Sequence, residues 1–131
     1  MNKKIYLFLF LSIAWAAMIF YFCTIPSNKI PKLEFRYMDK LAHFGVFFVQ
    51  SVLLSSVFSL RIRKSYFAII FLSTLMIFVY GGLIEILQDN FFNRRGDVYD
   101  LIADVTGGFF GAMFFPAFIR LYNFLFGKKN K

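Results

Sequence analysis

The sequence predicts an all-α integral membrane protein, four transmembrane helices in a compact bundle with both termini in the cytoplasm. Composition is the first reason: 60% of the 131 residues are hydrophobic and only 17% are charged, against roughly 25% charged in a soluble domain that must cover its surface. Length is the second. Four apolar windows, Ile5–Ile25, Leu41–Leu60, Tyr66–Ile84 and Leu101–Phe126, approach or exceed the ~20 helical residues needed to cross a hydrocarbon core. The third is where the charges fall, at the ends of those windows. A soluble enzyme, a nucleic-acid-binding domain and a disulfide scaffold are all poor fits. The net charge of +8 would suit nucleic acid if taken alone, but the membrane accounts for it residue by residue, and no nucleic-acid partner is expected.

The first helix is expected over about 5–25. Met1-Asn2-Lys3-Lys4 before an apolar run is similar to a signal peptide, but the run is too long and no small-x-small cleavage site follows it before Pro26-Ser27. An uncleaved first transmembrane helix is the better reading, stopped by Pro26-Ser27-Asn28. Cys23 is the single cysteine, so no internal disulfide or multi-cysteine metal site is available, and it reads as a small packing residue. Trp15 lies mid-helix and reads as core. A second helix is expected over about 38–60, ending at the tight basic connection Arg61-Ile62-Arg63-Lys64. The third covers about 65–88, before a polar loop, Asp89–Asp97. The fourth covers about 98–126, with a kink expected near Ala112–Pro116, then Gly127 and a basic tail. Residues 1–131 thus form one transmembrane domain.

Orientation follows the basic residues. One end of the bundle carries Lys3, Lys4, Arg61, Arg63, Lys64, Arg120, Lys128, Lys129 and Lys131; the other carries Lys29, Lys32, Arg36, Lys40, Arg94 and Arg95. All the acidic residues, Glu34, Asp39, Glu85, Asp89, Asp97, Asp100 and Asp104, fall with the second group. The purely basic end suits the cytoplasmic leaflet and its anionic headgroups, which makes membrane lipids partners and the cytoplasmic membrane the location.

The acidic end is organised. Asp39 and His43 share a helix face at a spacing of four, and Gln50 extends that stripe about 10 Å deeper at 1.5 Å per residue. Glu85 and Gln88 sit three apart at the end of the third helix, after Gly81-Gly82; Asp97, Asp100 and Asp104 recur at three and four on the fourth. Each would be costly facing lipid, so they are expected to turn inward and meet one another, or Lys40, Arg94 or Arg95. The plain alternatives are helix caps for Asp97 or Asp100, headgroup-level charges for Asp39 and Asp89, and interhelical hydrogen bonds for His43 and Asp104. Gly107, Gly108 and Gly111 with Ala103 and Ala112 make small-x-x-x-small pairs that permit close helix packing, including a homodimer through Gly107 and Gly111.

A histidine beside carboxylates can take and return a proton. Grouped carboxylates can hold a divalent cation such as Mg²⁺ that bridges to a phosphate, and a rim arginine can clamp one. The candidate catalytic residues are therefore His43 as acid or base, with Glu85 and Asp100 as proton partners or metal ligands. Lys40, Gln88, Arg94 and Asp104 are the candidate substrate-binding residues. No cofactor is required by these residues, and no metal ligand set is fixed.

The segments Asp39-Lys40-Leu41-Ala42-His43-Phe44, Gly82-Leu83-Ile84-Glu85-Ile86-Leu87-Gln88 and Arg94-Arg95-Gly96-Asp97-Val98-Tyr99-Asp100, followed by Asp104, Gly107 and Gly111, resemble in order the motifs of the VanZ-like family of small bacterial membrane proteins. The resemblance spans Ser27 to Gly111. The family's DK and H fall on Asp39, Lys40 and His43, its E and Q on Glu85 and Gln88, its arginine on Arg94 or Arg95, its aspartates on Asp97 and Asp100. Asp104 stands where the family often has Asn. The resemblance implies a cell-envelope protein, and the family's prototype is associated with teicoplanin resistance; it implies no particular reaction. The reading is a membrane protein acting on or binding a lipid-linked phosphate or cell-wall precursor at the outer leaflet. An accessory protein binding a larger partner, or a small ion or solute transporter, are the alternatives, and whether the chain is an enzyme stays open.

Overall fold

The first apolar run ends where Pro26 removes a backbone donor, and the third and fourth begin at side-chain caps. A computed structural model describes residues 3–29, 37–62 and 65–127, which form α1 (Lys3–Thr24), α2 (Met38–Arg61), α3 (Tyr66–Phe91) and α4 (Val98–Phe126), with a 3₁₀ turn at Ser27–Lys29. The expected basic residues Lys32, Arg36, Arg63, Lys64, Lys128, Lys129 and Lys131, and Glu34, lie outside the described residues. Even α1, with 22 residues, is about 33 Å long at 1.5 Å per residue. All four helices are long and apolar enough to cross a membrane.

The Ser65 hydroxyl caps α3 by accepting from the Ala68 N–H at 3.3 Å, and the Asp97 carboxylate caps α4 by accepting from the Tyr99 N–H at 2.8 Å. Asp97 is thus one of the two capping aspartates the sequence offered. α3 runs on to Phe91 rather than stopping at Gln88, because the Asn90 amide folds back onto the Ile86 carbonyl instead of breaking the helix. The reversal comes at Asn93, with φ of 50°, a left-handed conformation that Asn tolerates better than most residues. α4 is helical through Pro116. Proline leaves the Ala112 carbonyl without its helix donor, and the adjacent Met113 carbonyl is taken by the Tyr66 hydroxyl at 2.9 Å.

The helices form a compact four-helix bundle, in which α2 packs most extensively on α4. Glycine makes that approach possible: a Cβ at Gly107 would collide with the Phe44 carbonyl, and one at Gly111 with that of Phe48. Both glycines are buried. The expectation of a homodimer through Gly107 and Gly111 is corrected accordingly, since α2 of the same chain already occupies that face. Lys4 reaches the Asn123 side chain at 2.6 Å, which brings the start of α1 to the end of α4. One apolar cluster, Phe8, Leu53 and Val57, lies toward that end; another, Ile19, Cys23, Phe47, Ile77 and Ile84, lies beneath the acidic end. Trp15 packs against both and donates its indole N–H to the Val46 carbonyl at 2.9 Å. Phe67, Phe71 and Phe124 point outward and are largely exposed, as lipid-facing residues would be.

Candidate functional site

The loop end of the bundle gathers the polar stripe foreseen on three helices. His43 and Asp104 meet first: Nδ1 lies 2.8 Å from Asp104 Oδ1, with both residues buried. An ionised Asp104 fixes the proton on Nδ1, leaving Nε2 to face Asp100 Oδ2 at 4.0 Å. Asp104 can sit this deep because α3 offers a glycine opposite. A Cβ on Gly81 would stand 2.8 Å from Asp104 Oδ2, whereas one on Gly82 would meet nothing.

Lys40, one turn before His43 on α2, bridges Asp97 Oδ2 at 2.9 Å and Asp100 Oδ1 at 3.0 Å. Its ammonium, together with the Tyr99 N–H, holds the Asp97 carboxyl below the ordinary aspartate value. Glu85 comes in from α3, and its Oε2 accepts the Asp97 backbone N–H at 2.8 Å. The loop between α3 and α4 is thereby tied to the cluster from both sides. Two buried carboxylate oxygens, Glu85 Oε1 and Asp104 Oδ2, have no hydrogen-bond partner among the described residues.

Gln88 and Arg94 serve α1. Gln88 Nε2 donates to the Cys23 carbonyl at 2.6 Å, and Arg94 Nη1 to the same carbonyl at 3.1 Å. Gln88 is buried and Arg94 half-buried, while Arg95 is exposed, so Arg94 is the arginine that reaches the interior. The part played by α1 is what sequence reasoning missed, because the end of that helix nearest the cluster carries no charged side chain. Its signal was Pro26: a proline four residues on removes the donor that would serve the Phe22 carbonyl, and last-turn carbonyls seek outside partners.

A cleft of about 550 Å³ opens between α1 and α2. Met18, Ile19, Phe22, Ile25 and Val46 give it apolar walls, with Lys29, Asp39, His43 and Arg94 as its ionisable lining. Of the expected site residues, only His43 and Arg94 line it; Glu85, Asp100 and Asp104 lie behind His43, and Lys40 and Gln88 are engaged with neighbours. Two trios of ligand atoms lie within 4.8 Å of one another, His43 with Glu85 and Asp104, and Asp39 with His43 and Asp100. The cluster is therefore able to coordinate a divalent cation. No protein family matches this chain, and neither a curated protein nor a solved structure is significantly similar to it.

Proposed function

We propose that the chain is a multi-pass protein of the bacterial cytoplasmic membrane, inserted with both termini inside, that takes the anionic head of a lipid-linked molecule into the cleft between α1 and α2 at the outer leaflet. The observation that carries this reading is the lining of that cleft. Apolar walls from Met18, Ile19, Phe22 and Val46 suit an acyl or isoprenoid chain, and Lys29 and Arg94 suit a phosphate. His43 is then the reactive group nearest the bound head, with Glu85 and Asp100 behind it. Membership of the VanZ-like family, and with it a link to glycopeptide tolerance, is part of this proposal and rests on the motif order from Asp39 to Gly111.

The test is native mass spectrometry of the chain extracted gently from its own membrane. A phospholipid or isoprenoid phosphate retained by the parent and released from the double variant K29A/R94A is the expected result. A bare protein mass from the parent, or equal retention by the double variant, would remove the lipid-binding role. A transporter reading is disfavoured by Phe47, Ile77 and Ile84, fully buried apolar residues beneath the charged end.

A further inference from the structure

We propose that His43, Glu85 and Asp104 form a metal site suited to a borderline transition cation such as Zn²⁺ or Mn²⁺ in preference to Mg²⁺. This goes beyond the lipid reading and does not depend on it. The three residues come from α2, α3 and α4, all are buried, and each brings a ligand atom within 4.8 Å of the others. Independently, the two unpartnered carboxylate oxygens, Glu85 Oε1 and Asp104 Oδ2, belong to this trio, on residues 8% and 0% exposed. Buried carboxylates without partners are expensive, and coordination would supply what both oxygens lack.

Charge points the same way. Three buried carboxylates, Glu85, Asp100 and Asp104, surround one histidine, and the nearby Lys40 is already bound to Asp97 and Asp100. A dication balances Glu85 and Asp104 together. The other trio is weaker, because Asp39 is exposed and Lys40 holds one oxygen of Asp100. An entry route exists as well: a recess of about 210 Å³ reaches Glu85 between Asp89, Gly96 and Asp97. One imidazole nitrogen with two carboxylates is a donor set for Zn²⁺ or Mn²⁺, whereas Mg²⁺ prefers an all-oxygen shell. The divalent cation that the grouped carboxylates suggested, with Mg²⁺ as its example, is for that reason assigned to a transition metal. A bound cation also changes what His43 is: a ligand in place of a proton-transfer group.

The chain holds a single histidine, which makes the test clean. Untagged full-length protein, purified in mild detergent and stripped with a chelator, is dialysed against Zn²⁺ alone and then with excess Mg²⁺, and bound metal is counted by elemental mass spectrometry. One Zn²⁺ per chain, not displaced by Mg²⁺, is expected, with affinity falling at least about tenfold in E85Q and D104N and unchanged in D39N. Absence of stoichiometric Zn²⁺, displacement by Mg²⁺, or parent-like binding by folded E85Q and D104N overturns the site. A loss in D39N with parent-like binding by E85Q would move the ion to the outer trio and overturn it too. Should E85Q and D104N fail to fold, Mn²⁺ loaded into the parent decides: electron spin-echo modulation must show one imidazole nitrogen, and its absence refutes the assignment. R94A separates the two proposals, since it should weaken lipid retention and leave Zn²⁺ in place.

Discussion

At the loop end, the buried polar groups other than Gln88 are ionisable, come from α2, α3 and α4, and hold each other through His43–Asp104, Lys40–Asp100 and Glu85 on the Asp97 N–H. Midway along the bundle, Ser12, Gln50, Ser51, Ser55, Ser56 and Ser73 are as deeply buried but neutral. There Ser55 donates to Ser73 at 2.7 Å, Gln50 to Ser12 at 3.0 Å, and Ser56 to its own helix at the Val52 carbonyl, while Ser51 Oγ and Gln50 Oε1, both neutral, have no partner among the described residues. A hydroxyl satisfied by a neighbour or by its own helix is inexpensive inside a membrane bundle. A carboxylate is not, and one with a spare oxygen needs a reason beyond packing. The middle therefore reads as helix adhesion, and the loop end as a site. Phe47 lies between the two regions on α2, and Ile77 on α3, both fully buried.

The largest effect expected from this contrast is at His43. H43A leaves Asp104 buried with neither proton donor nor counter-charge, and breaking a buried pair from one side costs about 3–5 kcal/mol. Cys23 offers the readout, because it is the only cysteine and is buried, so maleimide labelling in detergent reports opening of the bundle. H43A should label under far milder denaturation than the parent. Equal resistance in the two would mean that the charged end is not coupled to the fold.

Next comes the glycine contact that brings the two regions' helices together. G107A drives a methyl into the Phe44 carbonyl, and overpacking against backbone costs about 1–3 kcal/mol. G82A is its control, since a Cβ there meets nothing and alanine is the better helix former by about 0.8–1 kcal/mol. The pair should therefore shift the unfolding midpoint in opposite directions. A destabilised G82A, or a G107A as stable as the parent, contradicts the packing described.

In the middle, S55A and S73A should each cost about 1 kcal/mol, and the double variant less than their sum, because removing both hydroxyls leaves neither unpaired. Additive losses would show that the two serines do not act as a pair. Such a cycle marks the middle as structural, in contrast with E85Q and D104N at the charged end, whose expected loss is in metal affinity.

Much of this was legible because charge in an apolar chain has few places to go. The spacing of Asp39 and His43, and of Asp97, Asp100 and Asp104, placed each set on one face, and the burial of His43, Asp100 and Asp104 followed from the cost of lipid exposure, while Asp39 and Asp97 stay accessible at the rim. Helix count and most boundaries followed from length and from Pro26, the basic connection Arg61-Ile62-Arg63-Lys64 and Gly127. Partner choice did not follow. Nothing in the sequence told that Lys40 would hold Asp97 and Asp100, or that Gln88 and Arg94 would both be used on the Cys23 carbonyl, because those pairings depend on how far each helix is rotated. The glycines showed the same limit from the other side. Gly107 and Gly111 announced close contact, but only the rotation of α4 decided that α2 of the same chain, and not a second copy, supplies it.

The smallest expected effect is also the one that probes the outermost layer of the charged end. Asp97 is solvent-accessible, and its carboxyl is held low, first by the Lys40 ammonium and then by the Tyr99 N–H. A group with a lowered folded pKa stabilises the fold above its unfolded value and loses that contribution as pH falls through the folded one. D97N keeps a side-chain oxygen able to cap α4 and removes only the charge. The parent should therefore show a small advantage over D97N near neutrality, constant across the mildly acidic range and vanishing only below ordinary aspartate titration. High salt should shrink it, as expected of an accessible pair. An advantage that instead faded between pH 5 and 8, or resisted salt, would place the relevant charge deeper, at His43 and its carboxylates, and would join the rim to the site that it now only borders.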